Sequence, residues 1–247
     1  MFTRIKRTVG YKRRLLPAHQ ALGTPTSMVI NEISRCLGLA KSYLEVGVEH
    51  GYTFEAVLAE HKTAVDPKMR FQKWPSYHGV TIQEMDSDDF FGSLTQKMDF
   101  DLVFLDGLHT ASQTWKDLVN VSNHLSTRSV VVIDDTVPND EFSVELSSHL
   151  AYQKRELAGF LDDYRWHGDV YRVILNLVEH HPEVRIATII DVPNPFTVCW
   201  NIPINLGKID AILPIRTYDQ VFNQGVPNYF NPIGKRDLIR ELGQSSA

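Results

Sequence analysis

Asp106, Asp134 and Asp135, with His109 three residues after the first of them, are the residues of this chain best suited to chemistry. Each acidic position closes an apolar run: Leu102-Val103-Phe104-Leu105 precedes Asp106, and Val130-Val131-Val132-Ile133 precedes the Asp134-Asp135 pair. Carboxylates gathered in one place can hold a hard divalent ion, and a nearby imidazole titrates close enough to neutrality to take a proton. An apolar run of this kind predicts a strand buried on both faces, the signature of a parallel sheet covered by helices. Between the runs, Trp115, Leu118, Val119, Ser122 and Leu125 recur at helical spacing. A strand-helix-strand unit of that length makes a right-handed crossover and leaves its strands parallel. All three acids then fall on one carboxyl edge, where open α/β sheets bind their ligands.

The rest of the chain must position that edge. With 247 residues, the sequence supports one substantial α/β core with appendages. Hydrophobic residues make up 43% and charged residues 22%, which sets disorder aside. A net charge of -5 gives no whole-molecule attraction to nucleic acid or an anionic membrane, so small molecules are the expected partners. Cys36 and Cys199 are far apart and form no CxxC pair, which reads as two buried thiols in a reducing compartment. No apolar run is long enough to span a bilayer and no secretory h-region is present, so the expected location is the cytoplasm.

Along the chain, Arg4, Lys6, Arg7, Lys12, Arg13 and Arg14 form a basic arm closed by Pro17. It reads first as a solvated terminus, with an anionic contact as the functional alternative. A helix from Thr26 has Met28, Ile30, Ile33 and Leu37 as its apolar face and Gly38 as its stop. Tyr43-Leu44-Glu45-Val46 is the first buried strand. Gly47-Val48-Glu49-His50-Gly51 then turns it into a helix carrying Phe54, Val57 and Leu58. A glycine directly after the first strand lets the backbone approach a ligand. The spacing departs from GxGxxG, and Glu49 would repel a pyrophosphate, which counts against NAD and FAD. Thr63-Ala64-Val65-Asp66 is a second strand whose terminal acid stands where a ribose-binding carboxylate is usually found; the alternative is a carboxylate capping the loop before Pro67. Phe71, Trp74, Tyr77 and His78 lie in an irregular aromatic stretch. Val80-Thr81-Ile82 is a third strand, and Asp88 is placed to cap a short helix through Phe91 and Leu94. A long connection, Val137 to Asp163, holds a helix around Leu146 to Leu157 and is of the kind that closes over a substrate. Asp169 reads as the start of a helix with Val170, Val173, Ile174, Leu177 and Val178 on its face. Val184 to Ile190 and Phe196 to Trp200 form an antiparallel pair at the sheet edge. The tail beyond Asn201 has no assigned role: packing on the core, covering the site and reaching a partner chain are all open.

A glycine loop after strand one, acids after strands two, four and five, and a terminal hairpin together resemble the class I S-adenosylmethionine-dependent methyltransferases over Lys41 to Trp200. The resemblance implies a doubly wound α/β fold: a seven-stranded, mostly parallel sheet with helices on both faces and one antiparallel strand next to an edge. Residues 1–40 would then be a basic arm and N-terminal helix, 41–201 the cofactor-binding domain and 202–247 a C-terminal extension. Glu45-Val46-Gly47 through Gly51-Tyr52-Thr53, Leu105-Asp106-Gly107-Leu108-His109, Ile133-Asp134-Asp135-Thr136 and Gly168-Asp169-Val170 look most like the metal-dependent, macrocin-type sugar O-methyltransferases. The likeness implies that Gly47 and Gly51 frame the methionine part of S-adenosylmethionine, with Glu45 and Thr53 as further cofactor contacts. It also implies that Asp66 takes the ribose, that Asp86 and Ser87 meet the adenine, and that Asp106 borders the cofactor. Asp106, Asp134 and Asp135 match the ligands of a divalent metal, normally magnesium, and His109 matches the general base, a role for which Asp135 is the alternative.

The implied reaction moves a methyl group from the sulfonium to a hydroxyl of a sugar or another vicinal diol, so the expected partner is a small acceptor such as a glycosylated metabolite. A homo-oligomer is left open, and no membrane partner is expected. A catalytically silent binding fold, a catechol-type enzyme and a nucleic-acid methyltransferase anchored by the basic arm are the rivals. Singly, each aspartate is as well explained by capping a helix or a loop. His50 reads as a helix-start residue, His167 and Asp169 as capping or acceptor-pocket residues, and Trp115 as core.

Overall fold

Alternate residues of the central strands are sorted onto two apolar faces, as the period of two in an extended chain requires. Val103, Leu105, Val131 and Ile133 join one buried cluster with Trp115, Leu118 and Ile174. Leu102, Phe104, Val130 and Val132 join another with Ile30, Ile33, Phe54 and Leu238. The sheet is therefore covered on both sides, as the continuous apolar runs predicted. The structure is a computed structural model and describes residues 23–39, 41–70, 78–160, 163–211 and 213–244. The basic arm and Phe71, Trp74 and Tyr77 lie outside the described residues.

The strands are β1 (Ser42–Val46), β2 (His61–Val65), β3 (Val80–Gln83), β4 (Phe100–Leu105), β5 (Leu125–Ile133), β6 (Arg185–Ile189), β7 (Phe196–Trp200) and β8 (Pro232–Ile233). The helices are α1 (Pro25–Leu37), α2 (Tyr52–Ala56), α3 (Ser87–Ser93), α4 (Ala111–Ser122), α5 (Ser148–Leu157), α6 (Tyr171–His180), α7 (Tyr218–Phe222) and α8 (Lys235–Gln244). The strands lie in the order β3-β2-β1-β4-β5-β7-β6-β8. β1 to β5 are mutually parallel where they pair, and β7 is antiparallel to both β5 and β6. This is the expected doubly wound sheet with one correction: it has eight strands rather than seven. The extra strand comes from the tail, where Pro232 and Ile233 pair in parallel with Thr188 and Ile189. Two residues beginning with a proline carry no strand signal, and proline is tolerated there because the position is an edge.

The strand order reverses between β1 and β4, and that reversal opens the crevice at the carboxyl edge. The backbones close tightly there. Gly47 has φ +85°, and a Cβ on it would stand 1.8 Å from the Asp106 carbonyl oxygen, so only glycine fits. Beneath the edge, Trp115 is 1% exposed and its indole N–H donates to the Lys208 carbonyl at 2.8 Å. Truncating it to alanine would cost about 3–5 kcal/mol by the usual cost of a buried aromatic.

Several local expectations change. Met28 is largely exposed and Val29 takes its place on the buried face of α1, because the stripe follows Val29, Ile30 and Ile33. α2 ends at Ala56, which leaves Leu58 in solvent. Cys36 is exposed, whereas Cys199 is buried as expected. α3 begins at Ser87 with Asp86 in the capping position. Asp88 lies inside the first turn, where its carboxylate accepts from Gln113 and Lys116 of α4. The tail packs on the core: Phe222, Phe230, Leu238 and Leu242 are buried, and α8 lies against α1.

Candidate active site

The loop after β1 is held from below by Asp66. Its Oδ2 accepts from the amides of Val48 and Glu49, both at 2.8 Å, and its Oδ1 from the amide of Lys68 at 2.7 Å. Expected at the ribose, this carboxylate is also the clamp that gives the glycine loop its shape, and Oδ1 keeps a second lone pair. Glu49 (φ +41°) turns outward and pairs with His50 at 3.2 Å and Arg70 at 3.0 Å. Gly51 (φ +75°) is the capping residue of α2, and Thr53 Oγ1 lies 3.0 Å from Thr24 Oγ1 at the start of α1.

Glu45 is 2% exposed inside the fold and takes a hydrogen bond from the Tyr43 hydroxyl at 2.5 Å. Burial pushes its carboxyl up to about 8, against the pull of Tyr43 and Lys62. Ser87 is drawn into the joint between α3 and α4: its hydroxyl donates to Asp117 Oδ1 at 2.7 Å, and Gln113 Nε2 donates to both. Burial raises the Asp117 carboxyl to about 6 although those bonds oppose it.

Across β1 from Asp66, the acidic edge is crowded. His109 Nδ1 lies 2.7 Å from Asp135 Oδ2 and 3.1 Å from the Trp166 carbonyl oxygen, and Nε2 lies 3.6 Å from Asp106 Oδ1. Both partners of Nδ1 are acceptors, so the ring proton sits on Nδ1 and the bare Nε2 faces Asp106. Burial disfavours the charged ring, but the hydrogen bond and charge of Asp135 and the Trp166 carbonyl outweigh it and raise the pKa. The Trp166 indole stacks on the imidazole, centroids 4.8 Å apart and planes 10° from parallel. His109 (φ +55°) and Asp135 (φ +58°) both hold left-handed backbones, unusual away from glycine and common where a fixed site dictates the geometry.

Neighbouring loops build this corner. A Cβ on Gly168 (φ +60°) would stand 1.6 Å from the His109 carbonyl oxygen. Asp169, expected to start its own helix, instead caps α4: its Oδ1 accepts from the Ala111 amide at 2.7 Å, while α6 begins after Val170. Asn194, in the β6–β7 connection, donates through Nδ2 to Asp134 Oδ1 at 3.0 Å and more weakly to Asp135 Oδ1 at 3.4 Å. Sequence reasoning passed over Asn194. Its one signal is its place between Pro193 and Pro195, which stiffen the backbone on both sides.

Asp106, His109 and Asp135 each offer a donor atom within 4.8 Å of the others. Although 31% of the Asp106 side chain meets solvent, desolvation together with the charges of Asp134 and Asp135 lifts its carboxyl well above the ordinary range. Burial and Asp135 raise Asp134 to about 8, opposed by the Asp135 amide, His109 and Asn194. The carboxylates repel one another, and a cation among them would relieve that repulsion. The donor set therefore fits a hard divalent ion.

A family model for methyltransferase domains matches residues 44–136, the stretch from β1 through the acid pair after β5. The matched segment is similar to methyltransferase domains. Among solved structures, the chain is similar to the O-methyltransferase TomG from Streptomyces achromogenes, determined in complex with SAM. That match has 15% identity and TM-score 0.47, covering 71% of this chain and 78% of that one. It is also similar to an O-methyltransferase from Bacillus cereus in complex with SAH, at 15% identity and TM-score 0.49, covering 78% of this chain and 86% of that one. No curated protein sequence matches the chain. The matched segment ends at Thr136, directly before the long connection from Val137 to Asp163. In that connection Asp140, Glu141, Phe142 and Phe160, with Tyr218 and Asp219 from α7, line a cavity of about 490 Å³.

Proposed function

We propose that the protein transfers a methyl group from S-adenosylmethionine to a hydroxyl of a sugar or another vicinal diol, with magnesium held by Asp106, Asp134 and Asp135. The observation that carries this reading is the His109–Asp135 hydrogen bond, which leaves Nε2 bare beside Asp106. A neutral hydroxyl is a poor nucleophile and must lose its proton as it attacks the sulfonium methyl. His109 Nε2 accepts that proton, and Asp135 stabilises the imidazolium through Nδ1–H. Trp166 keeps the ring in plane. The bound cation would supply charge stabilisation for the developing alkoxide and orientation of a chelating diol. Gly47 and Gly51 give the cofactor close access to the backbone, with Asp66 holding the loop and reaching the ribose, and Asp86 and Ser87 meeting the adenine. The cavity lined by Asp140, Glu141, Phe142 and Tyr218 offers acids to sugar hydroxyls and rings to sugar C–H faces. The free thiols Cys36 and Cys199 suit the cytoplasm, and no helix among the described residues is long and apolar enough to cross a membrane.

Titration calorimetry tests this directly. S-adenosylhomocysteine should bind the purified chain, and magnesium should then bind that complex with an isotherm lost in Asp134→Ala. Turnover on a panel of sugars and catechols should require magnesium and stop with EDTA. Cofactor binding with no cation isotherm would remove the metal from the reading, and no cofactor binding would leave a silent binding fold.

A further inference from the structure

We infer that His167 and Asn194 form a positioning pair that aims the Asp134 and Asp135 carboxylates at the cation, an inference that rests on the metal reading above. Hydrogen-bond polarity carries it. Ionised around a cation, both carboxylates only accept, so the Asn194 group facing Asp134 and Asp135 is its NH₂. The amide carbonyl oxygen then faces His167 Nε2, 3.1 Å away, so Nε2 bears the ring proton and donates it. The opposite amide orientation would set a carbonyl oxygen 3.0 Å from a carboxylate oxygen, which is repulsive. The acid pair on one side and the Nε2–H donor of His167 on the other therefore hold Asn194 in one orientation. His167 is 1% exposed and its Nδ1 has no partner among the described residues, so the ring has no competing bond to turn it. It lies 4.0 Å from Asp135 Oδ1, too far for a hydrogen bond, and Asn194 bridges the gap.

Direction runs through the whole chain of groups. The amides of His167 and Gly168 both donate to the Ser143 carbonyl, at 3.0 and 2.9 Å, and fix the ring's backbone. Asn194 then occupies Oδ1 of Asp134 and of Asp135, while Oδ2 of Asp135 goes to His109. With Oδ1 of Asp134 and both oxygens of Asp135 engaged, the carboxylate planes are set and cannot rotate into one another. Groups that orient metal ligands in this way typically contribute 10–100-fold in metal affinity.

The test uses the full chain saturated with S-adenosylhomocysteine and titrated calorimetrically with MgCl₂ and, separately, MnCl₂. Asn194→Ala and His167→Leu should each weaken both cations about 10–100-fold and leave cofactor affinity unchanged. His167→Gln, whose amide can donate from nearly the place of Nε2, should restore most of the loss. A purely structural histidine would instead lower the melting temperature in the Leu and Gln variants alike, with no cation-specific effect, and that result overturns the pair. So does wild-type cation affinity in Asn194→Ala. If the wild type itself binds cofactor but neither cation, the metal reading fails first and takes the pair with it.

Discussion

Asp66 and Asp106 end strands on either side of β1, at the same edge of the sheet, yet their surroundings are opposite. Asp66 receives the amides of Val48, Glu49 and Lys68, so its charge is met by fixed backbone dipoles. Asp106 faces His109 Nε2 at 3.6 Å, and burial together with the charges of Asp134 and Asp135 drives its pKa up. One carboxylate is used to build a loop. The other is left with a charge that the chain itself does not neutralise, and such a group is available to a cation or a reacting proton. The same residue type at the same topological place thus serves shape on one side and chemistry on the other, according to whether backbone N–H groups or other acids converge on it.

Substitutions on the two sides should separate these roles. The largest effect is expected from His109→Ala, which removes the base and should lower kcat by about 10²- to 10⁴-fold while S-adenosylhomocysteine binds as before. Unchanged cofactor affinity with lost turnover is the chemistry-side signature, and a matching loss of both would blur the contrast. Gly168→Ala should follow, because the added methyl must displace the His109 backbone. A shift of about 1 Å can cost roughly 10²-fold in rate, read as a fall in kcat with cofactor affinity intact. Asp66→Ala, on the shape side, should weaken S-adenosylhomocysteine about 10-fold and lower unfolding stability by roughly 1–3 kcal/mol, since loop amides lose their acceptor. Calorimetry and urea melts measure both, and a loss of affinity without any loss of stability would mean that Asp66 acts on the ribose alone.

The smallest effect concerns Glu45, an acid of β1, the strand between the two, that neither clamps a loop nor meets the crowded acids directly. Its carboxyl titrates near 8 in the folded chain against an ordinary 4.5. The folded state therefore retains a proton that the unfolded chain releases, so this contribution to stability is full below about pH 4.5 and is lost as pH rises toward 8. Glu45→Gln keeps the shape without the proton. Urea melts across that window should show a flatter stability profile in the variant, and parallel profiles would show that Glu45 is already ionised.

How much of this was legible follows from the range of the interactions. The apolar runs before Asp106 and Asp134 encode buried parallel strands, because burial on both faces removes the polar alternation that any other strand would show. Trp115, Leu118 and Val119 encode the covering helix in the same local way, and Gly38 and Gly47 mark turns that need positive φ. Met28 and Leu58 were misassigned because helical spacing tells neighbouring apolar positions apart only when the helix end is known. Asp169 was misassigned because the helix it caps begins at Ala111, far away in sequence. β8 has too few residues to carry a pattern.

For the site, residue types and strand order determine that Asp106, Asp134, Asp135 and His109 share one edge, since parallel crossovers put every strand's carboxyl end on the same side. Tertiary structure alone decides which contacts form there. The proton on His109 Nδ1 is fixed by Asp135 and by the Trp166 carbonyl, the orientation of the acid pair by Asn194, and the role of Asp66 by the amides of its neighbouring loop. Those are hydrogen bonds between segments distant in the chain, set by direction and distances of about 3 Å, and no sequence spacing carries that information.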